Sequence, residues 1–393
     1  MASYFQMGHH SENLVGEEDL EEFEGIVLSP INRDPGELSD DVVSFCGLGR
    51  YHIILDSQLY FPKTERGKLN DHPYFPSDFE TADLADMTWW GKLINELSDY
   101  ASKLCVSTVT SPVFQPPIWR SDYYRLCADI SNILSRELSS ESISVYTTVM
   151  ADIAEISDEM KRMEIASILS DTESEGYYIV FRSEIEPRRE LSNDSYLFGM
   201  MSLINELKRT GRRVLVSNCS SDMMLFKAAG ATDCATGKFF NLRRFTKSRY
   251  DEPKEGGGQL PYWFEHGLIA FLREADLLRL KRDGFGDLIG THHSSNHWSS
   301  KIIRQLRDER GKPWLAFSWR QYLSWFGKTE EELSGEIAAE VVKAWLKDAE
   351  ENWAKLEADD FLFEERLNNG SWVRAWRQAL ASFRKATRAS SRK

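Results

Sequence analysis

A strand–helix–strand unit in the middle of the chain decides the fold: residues 177–181 (YYIVF), residues 197–210 (LFGMMSLINELKRT) and residues 213–217 (RVLVS). The two short runs are apolar along almost their whole length, which is typical of strands buried on both faces. The longer segment has apolar residues at helical spacing and is followed by Gly211, a common residue just past a helix C-terminus. This pattern predicts two parallel strands connected through a helix.

The same alternation continues on both sides of this unit. Further strands are expected at residues 25–31, 51–55, 104–110 and 143–150, with a very short one ending at residues 232–234 (TDC). Helices are expected between them at residues 86–104, 122–137 and 152–170. The repetition predicts a parallel α/β fold, either a barrel or a doubly wound sheet. No GxGxxG follows the first expected strand, so the fingerprint of a dinucleotide-binding sheet is missing.

Charge and cysteine content limit the classes of function. The formal net charge is −14, and a chain this acidic is a poor general binder of nucleic-acid phosphates. Residues 1–22 are polar and acidic, which predicts an N-terminal tail and not a signal peptide. The five cysteines are scattered without a CxxC pair, which indicates a reducing compartment, and no apolar run approaches the ~18 residues of a membrane span. We therefore expect a cytoplasmic protein with no membrane partner.

The last part of the chain has a helical pattern. Helices are expected at residues 260–281, 297–310, 319–326, 329–358 and 372–386. Thr329 and Glu332 have the spacing of a capping box at the start of one of them. From Ser371 onward there are seven basic residues and no acidic one, so a local nucleic-acid contact at this end stays open beside a solvated helix face. We divide the chain into the tail, a barrel over residues 23–310 and a helical region over residues 311–393.

Parallel barrels carry their chemistry at the C-terminal ends of the strands. Applied to the expected strands, this rule selects Asp56, Thr110, Ser111, Asp152, Arg182, Glu184, Glu186, Asn218 and Asp233. We expect Arg182 and Asn218 to bind substrate. A separate alternative is a metal site at His292, His293 and His297, because two of these are four residues apart; a polar loop before a helix explains them equally simply.

Residues 54–61 (ILDSQLYF) resemble a strand of the tRNA-guanine transglycosylase superfamily that ends in Asp-Ser-Gly-Gly-Tyr/Phe. In that family the aspartate recognises the base and takes part in proton transfer, and the aromatic residue stacks on the base. The resemblance implies these roles for Asp56 and Tyr60, with Ser57 as an additional hydrogen-bond donor. A Gln-Leu pair that begins at Gln58 replaces the two glycines.

Residues 213–234 resemble a second motif of the same superfamily, in which a strand and a helix start lead to Gly-x-Asp-x-Phe-Asp-Cys. The aspartate before the cysteine is the family's nucleophile, which attacks the ribose C1′ and displaces guanine. The resemblance implies this role for Asp233, and a carboxylate suits it because it is ionised at neutral pH. Arg243 and Arg244 are candidates for a phosphate contact. The family's Cys-x-Cys-x-x-Cys zinc set is absent, so we expect no metal and no cofactor.

The resemblance implies a (β/α)8 TIM-type barrel with a C-terminal α-helical extension. Our first functional hypothesis is a pentosyltransferase that exchanges guanine or a 7-deazaguanine base. Remote relatives of this type act as accessory proteins in antiphage CBASS operons beside a CD-NTase and a QueC-like enzyme, which are the expected partners. The second hypothesis is a catalytically altered barrel that serves as a binding module for such a partner. A third is an unrelated barrel enzyme such as an aldolase or a hydrolase. The oligomeric state stays open.

Overall fold

Eight parallel strands form a closed barrel in the computed structural model, which describes residues 3–16, 20–61, 67–115, 119–247, 250, 260–307, 314–335, 337–365 and 368–390. The strands follow one another around the barrel in chain order. Their bounds are β1 Ser3–Gln6, β2 Phe23–Leu28, β3 His52–Leu55, β4 Thr108–Thr110, β5 Ser144–Asp152, β6 Gly176–Arg182, β7 Arg213–Val216 and β8 Asp233–Gly237. β1 pairs in parallel with both β2 and β8, which closes the barrel and confirms the predicted fold class.

Helices connect most of the strands on the outside. Their bounds are α1 Pro35–Gly47, α2 Met87–Leu104, α3 Ser121–Glu137, α4 Glu159–Leu169, α5 Asp194–Lys208 and α6 Met223–Ala228. α1 shows why the chain turns into a helix at these points. The Asp34 carboxylate accepts from the Glu37 backbone N–H at 2.9 Å, and the Glu37 carboxylate accepts from the Asp34 N–H at 3.1 Å. Pro35 is the first residue of the helix, a position whose N–H has no partner within the helix, so the missing N–H of proline costs no hydrogen bond.

The first barrel strand lies where we expected a tail, so the prediction of an unstructured acidic segment over residues 1–22 is wrong for its first part. β1 is fully buried, with Tyr4 at 2% and Phe5 at 0% exposure. The two aromatic residues favour a strand, but the acidic residues that follow dominate the composition of the window. The strand expected at residues 25–31 is consequently the second of the barrel.

The described part of the C-terminal extension contains a hairpin and five α-helices. Their bounds are β9 Trp263–Glu265, β10 Ala270–Leu272, α7 Glu274–Arg282, α8 His297–Arg307, α9 Leu315–Glu332, α10 Ala338–Ala358 and α11 Ser371–Ser390. β9 and β10 pair antiparallel within the segment expected as one helix from residue 260. Thr329 lies inside α9 and does not cap a helix, because α9 continues to Glu332 and the chain turns at Gly335 with a φ of 108°.

Arg243 joins the extension to the barrel. Its side chain is fully buried, and its guanidinium lies 3.6 Å from the centre of the Tyr322 ring of α9. Its Nε donates to the Gly237 carbonyl at the end of β8, at 3.1 Å. α9 also packs on the barrel directly, since the Phe326 ring stacks on Phe23 at 6.2 Å. Arg243 is therefore part of the packing and is not available for the phosphate contact considered from the sequence. None of the helices in the described part of the chain is both long and apolar enough to cross a membrane.

Candidate functional site

The C-terminal ends of the barrel strands meet at one end of the barrel, which we call the mouth and define by Asp56, Gln58 and Asn218. Asp56 follows β3 and is 1% exposed. Its Oδ1 accepts from the Tyr60 hydroxyl at 2.9 Å and from the Gln58 backbone N–H at 3.0 Å. Its Oδ2 accepts from the hydroxyl of Tyr178 on β6, at 3.2 Å. Since β3 and β6 are not neighbours in the barrel, the Asp56 carboxylate lies in its interior.

Two side-chain amides lie at the mouth with strained backbones. Gln58 has a φ of 56° and Asn218, after β7, has a φ of 54°. A left-handed conformation costs a residue other than glycine about 1–2 kcal/mol, and such strain gathers at functional sites. Gln58 thus adopts the conformation for which the family motif has a glycine. Its side chain adds an amide to this turn.

Each amide is bonded through its oxygen only. The Gln58 Oε1 accepts from the Ser29 hydroxyl at 3.3 Å and from the Ile31 N–H at 3.1 Å. The Asn218 Oδ1 accepts from the Gln6 amide at 3.4 Å. Among the residues that the structure describes, neither the Gln58 Nε2 nor the Asn218 Nδ2 has a hydrogen-bond partner. Buried donors without partners are rare, so these two N–H2 groups indicate a place where a ligand with acceptor atoms can bind.

Aromatic side chains cover the mouth. The Tyr60 ring packs edge-on against Phe245 at 5.2 Å and against Tyr250 at 6.1 Å, and Tyr60 is 3% exposed. Burial raises the pKa of Tyr60 well above its usual range, so its hydroxyl stays a donor to Asp56. Ser57 is also buried, and its backbone carbonyl accepts from the Tyr74 hydroxyl at 3.2 Å. Stacking of Tyr60 on a base and donation by Ser57 stay predictions.

Asp233 lies at the opposite end of the barrel, so the prediction that it follows a strand is wrong. It is the first residue of β8 and is fully buried. Both of its oxygens accept from Arg213, the first residue of β7, at 2.8 to 3.1 Å. A five-residue strand spans ~16 Å. Asp56 and Asp233 therefore cannot act on the same bond, as the nucleophile hypothesis requires.

The surroundings of Asp233 confirm its place among residues that begin strands. The charge on Asp233 acts on Tyr4 of β1, His52 of β3 and Tyr146 of β5, all near the N-terminal end of their strands. His52 bonds on one side to the Tyr4 hydroxyl at 3.0 Å and on the other to the Thr108 hydroxyl at 3.1 Å. Burial lowers the pKa of His52, so it is neutral at pH 7. Asp233 and these three side chains form a polar layer within the core at the N-terminal end of the strands.

Arg182, the last residue of β6, lies on the mouth side. Its guanidinium is 3.6 Å from Asp152 at the end of β5 and 3.0 Å from Glu184, and its side chain is 23% exposed. The exposed Glu184 is therefore an ion-pair partner, and Glu186 pairs with Arg189 at 3.6 Å. A role of Arg182 in substrate binding stays a prediction, and two carboxylates already compensate its charge.

A buried acidic and basic cluster near the mouth was not predicted from the sequence. Arg244 is 4% exposed, lies 3.5 Å from Asp222 and 3.9 Å from Glu190, and donates to two carbonyls of the loop after β6. The Ser221 hydroxyl donates to Glu190 at 2.7 Å. Burial raises the pKa of Glu190 to about 7. These residues come from three separate segments, so no local pattern could have indicated them, and Arg244 is not free to bind phosphate.

The histidines considered as metal ligands are used for packing. The His293 ring lies 4.4 Å from His266 and 5.1 Å from Trp345, and its Nδ1 is 3.3 Å from Glu332. Within the described ranges, no three His, Cys, Asp or Glu side chains are placed to hold a metal ion. The alternative of a site at His292, His293 and His297 therefore finds no support in the geometry.

No protein-family model and no curated protein matches this chain. Among solved structures it is similar to a chitinase from Chromobacterium violaceum ATCC 12472, at 9% identity and a TM-score of 0.37, over 55% of this chain and 68% of that one. It is also similar to an L-ribulose 3-epimerase, at 12% identity and a TM-score of 0.38, over 80% of this chain and 100% of that one. Likenesses this weak carry no argument about the reaction, so the function rests on the mouth residues themselves.

Proposed function

We propose that the mouth binds a guanine-type base, either guanine or a 7-deazaguanine, and that Asp233 takes no part in the chemistry. One observation carries this proposal. The buried carboxylate of Asp56 lies at the same end of the barrel as two buried side-chain amides, those of Gln58 and Asn218, whose N–H2 groups lack partners in the described part of the chain. The mouth therefore offers one strong acceptor and two donors.

This set complements the hydrogen-bonding edge of guanine. The ring presents N–H donors on one side and the O6 acceptor on the other. The Asp56 carboxylate would accept from the N–H groups, in charge-assisted bonds that are roughly twice as strong as neutral ones. The amides of Gln58 and Asn218 would donate to the ring acceptors. Adenine has an amino group where guanine has O6, and it has no N1–H. It would therefore leave polar groups of the mouth unpaired and bind more weakly.

Binding requires a rearrangement at the aromatic cover. The Tyr60 hydroxyl holds the Asp56 Oδ1 at 2.9 Å, and the base has to displace it. The Tyr60 ring must also leave its contact with Tyr250, at 6.1 Å. Released from both contacts, Tyr60 could face the bound ring, as its counterpart does in the family that the sequence resembles. The energy of this opening lowers the apparent affinity, because only the open fraction binds.

The place of Asp233 favours the altered-barrel hypothesis over base exchange. Exchange through a covalent intermediate needs a nucleophile within reach of the ribose C1′, next to the bound base. Asp233 is at the other end of the barrel and is held by Arg213 at 2.8 Å. We therefore propose a base-binding barrel of transglycosylase type that does not exchange bases through Asp233. A role in antiphage defence with a CD-NTase or QueC-like partner stays a prediction that no contact described above addresses.

Calorimetric titration with guanine and adenine tests base binding. We expect saturable binding of guanine, with adenine bound at least about ten-fold more weakly, a difference of about 1.4 kcal/mol. Gln58→Gly and Asn218→Gly each remove an amide while keeping the left-handed backbone, and each should weaken guanine binding by a similar factor. Asp360→Gly is the matched control, because Asp360 is exposed and has a φ of 50° elsewhere in the chain. Equal binding of both bases, or no saturable binding of guanine, would contradict the proposal.

A further inference from the structure

A second cavity lies beside the barrel, between the loop after β6 and the C-terminal extension. It contains about 190 Å³ of accessible space. The loop residues 188–190, the end of β10 and the segment that leads into α11 contribute to its wall. Neither Asp56, Gln58 nor Asn218 contributes to it, so it is distinct from the mouth.

Three arginines lie in the cavity wall although the chain as a whole is acidic. Arg188, Arg189 and Arg273 line it, against Glu190 and Glu365. Arg273 is paired with Glu365 at 2.6 Å, and Arg189 is paired with the exposed Glu186 at 3.6 Å. Arg188 has no carboxylate within ion-pair distance among the described residues, and its guanidinium lies over the Phe240 ring at 5.7 Å. An exposed guanidinium without a carboxylate partner at a cavity wall is suited to bind a phosphate or carboxylate group.

The rest of the wall combines aromatic and polar groups. The rings of Phe240 and Phe271 meet edge to face at 5.0 Å, and Trp372 also contributes to the wall. Asn368 and Asn369 add amides from the segment before α11. The N-terminus of this 20-residue helix is also at the wall, through Ser371, and its dipole adds to the positive potential of the arginines.

Glu190 lines the cavity and carries a buried oxygen without a hydrogen-bond partner among the described residues. Its side chain is only 7% exposed, and its Oε1 accepts from Ser221. Its Oε2 has no hydrogen-bond partner in the described part of the chain, although Arg244 is 3.9 Å away. A buried oxygen of this kind can bond to a hydroxyl or N–H of a ligand in the cavity.

We propose that this cavity binds a small anion that carries an aromatic ring, and that a nucleoside monophosphate has the matching chemistry. Arg188 and Arg189 bind the phosphate, the rings of Phe271 and Trp372 contact the base, and Glu190 bonds to a polar atom of the nucleoside. No bond is made or broken in this step, and it does not depend on base binding at the mouth.

Titration with AMP, adenosine and inorganic phosphate tests the cavity. AMP is the probe because the mouth is expected to bind adenine at least about ten-fold more weakly than guanine, and the Asp56→Asn variant identifies any contribution of the mouth to the AMP signal. We expect saturable AMP binding, with adenosine and phosphate each weaker by about ten-fold or more, because ring and anion contacts both contribute. Asp56→Asn should leave AMP binding unchanged, which separates failure of this site from failure of the mouth.

The double variant Arg188→Ala/Arg189→Ala should weaken AMP binding by about ten-fold or more. Its matched control is Arg209→Ala/Arg282→Ala, which removes two exposed arginines that lie outside the cavity wall. Binding of AMP to the double variant as tight as to the wild type would overturn the proposal, as would the absence of saturable AMP binding. If inorganic phosphate bound as tightly as AMP, the aromatic rings of the wall would not contribute to binding.

Discussion

Each end of the barrel has a fully buried aspartate, but the groups that donate hydrogen bonds to the two carboxylates differ in charge. At the mouth, Asp56 accepts from the neutral hydroxyls of Tyr60 and Tyr178. At the other end, Asp233 is held on both oxygens by the cation of Arg213. Burial is the same, at 1% and 0% exposure, so burial alone does not identify a functional carboxylate. What distinguishes the mouth is that two buried amide groups at this end, those of Gln58 and Asn218, have N–H2 donors with no partner among the described residues.

This difference assigns different tasks to the two ends. A buried carboxylate that is matched by a bidentate arginine has its bonding capacity filled and belongs to the structure. A buried carboxylate held by hydroxyls can exchange them for a ligand, since neutral hydrogen bonds are the weaker kind. We therefore expect losses of stability from changes at the Asp233 end and losses of affinity from changes at the mouth.

The largest effect is expected when the counter-ion of Asp233 is removed. Arg213→Met removes the cation that pairs with a fully buried carboxylate. Because the Arg213 side chain is itself 48% exposed, we expect a loss near the lower limit for buried pairs, about 3 kcal/mol. Urea denaturation measures this change. Arg209→Met is the control, because that arginine is 59% exposed and pairs only with Glu206 at 3.3 Å. A loss below about 1 kcal/mol for Arg213→Met would mean that the ion pair is not structural.

A somewhat smaller effect is expected from the buried Glu190 near the mouth, and it depends on pH. Its pKa of about 7 in the folded protein lies above the usual value near 4.3, so the folded state holds the proton more tightly. The stability that this gives is complete below about pH 4 and is lost as the pH rises through 7. Between pH 5 and 8 the wild type should lose up to about 3 kcal/mol relative to Glu190→Gln. Parallel pH profiles of the two proteins in urea denaturation would contradict this.

A smaller effect still is expected from the hydroxyl that holds Asp56 across the barrel. Tyr178→Phe removes the bond of 3.2 Å to the Asp56 Oδ2 and should lower the free energy of unfolding by about 1 kcal/mol. It should also weaken guanine binding, because the carboxylate loses a group that orients it. Tyr177→Phe is the control on the same strand, since that hydroxyl donates to the Leu169 carbonyl at 3.0 Å. If both variants bind guanine equally, Tyr178 does not act through Asp56.

The barrel was predictable from the sequence because its central strands have a clear hydrophobic pattern. β5, β6 and β7 are short apolar runs separated by amphipathic helices, and the structure places all three within two residues of the expected bounds. The hairpin of β9 and β10 was not predictable, because a short apolar run of aromatic residues fits a strand or a buried helix equally well. β1 was missed since its four residues precede an acidic stretch.

The candidate site was predictable only in part. Asp56 and Asn218 follow apolar runs, and the rule for strand ends finds them. The same rule failed for Asp233, because the small residues after it, Cys234 to Gly237, continue the strand without the bulky apolar signal that marks one. The left-handed φ of Gln58 and the unpaired amides depend on the three-dimensional packing, which no local pattern encodes.

The most direct test of the central claim measures guanine affinity and stability together for Asp56→Asn and Asp233→Asn. We expect each variant to affect a different one of these two quantities. Asp56→Asn should weaken guanine binding by about ten-fold or more with a change in unfolding free energy near 1 kcal/mol, because the acceptor loses its charge. Asp233→Asn should lower stability by more than that and leave the affinity of the folded protein unchanged. Loss of guanine binding in folded Asp233→Asn protein, with binding intact in Asp56→Asn, would contradict the assignment of the two ends.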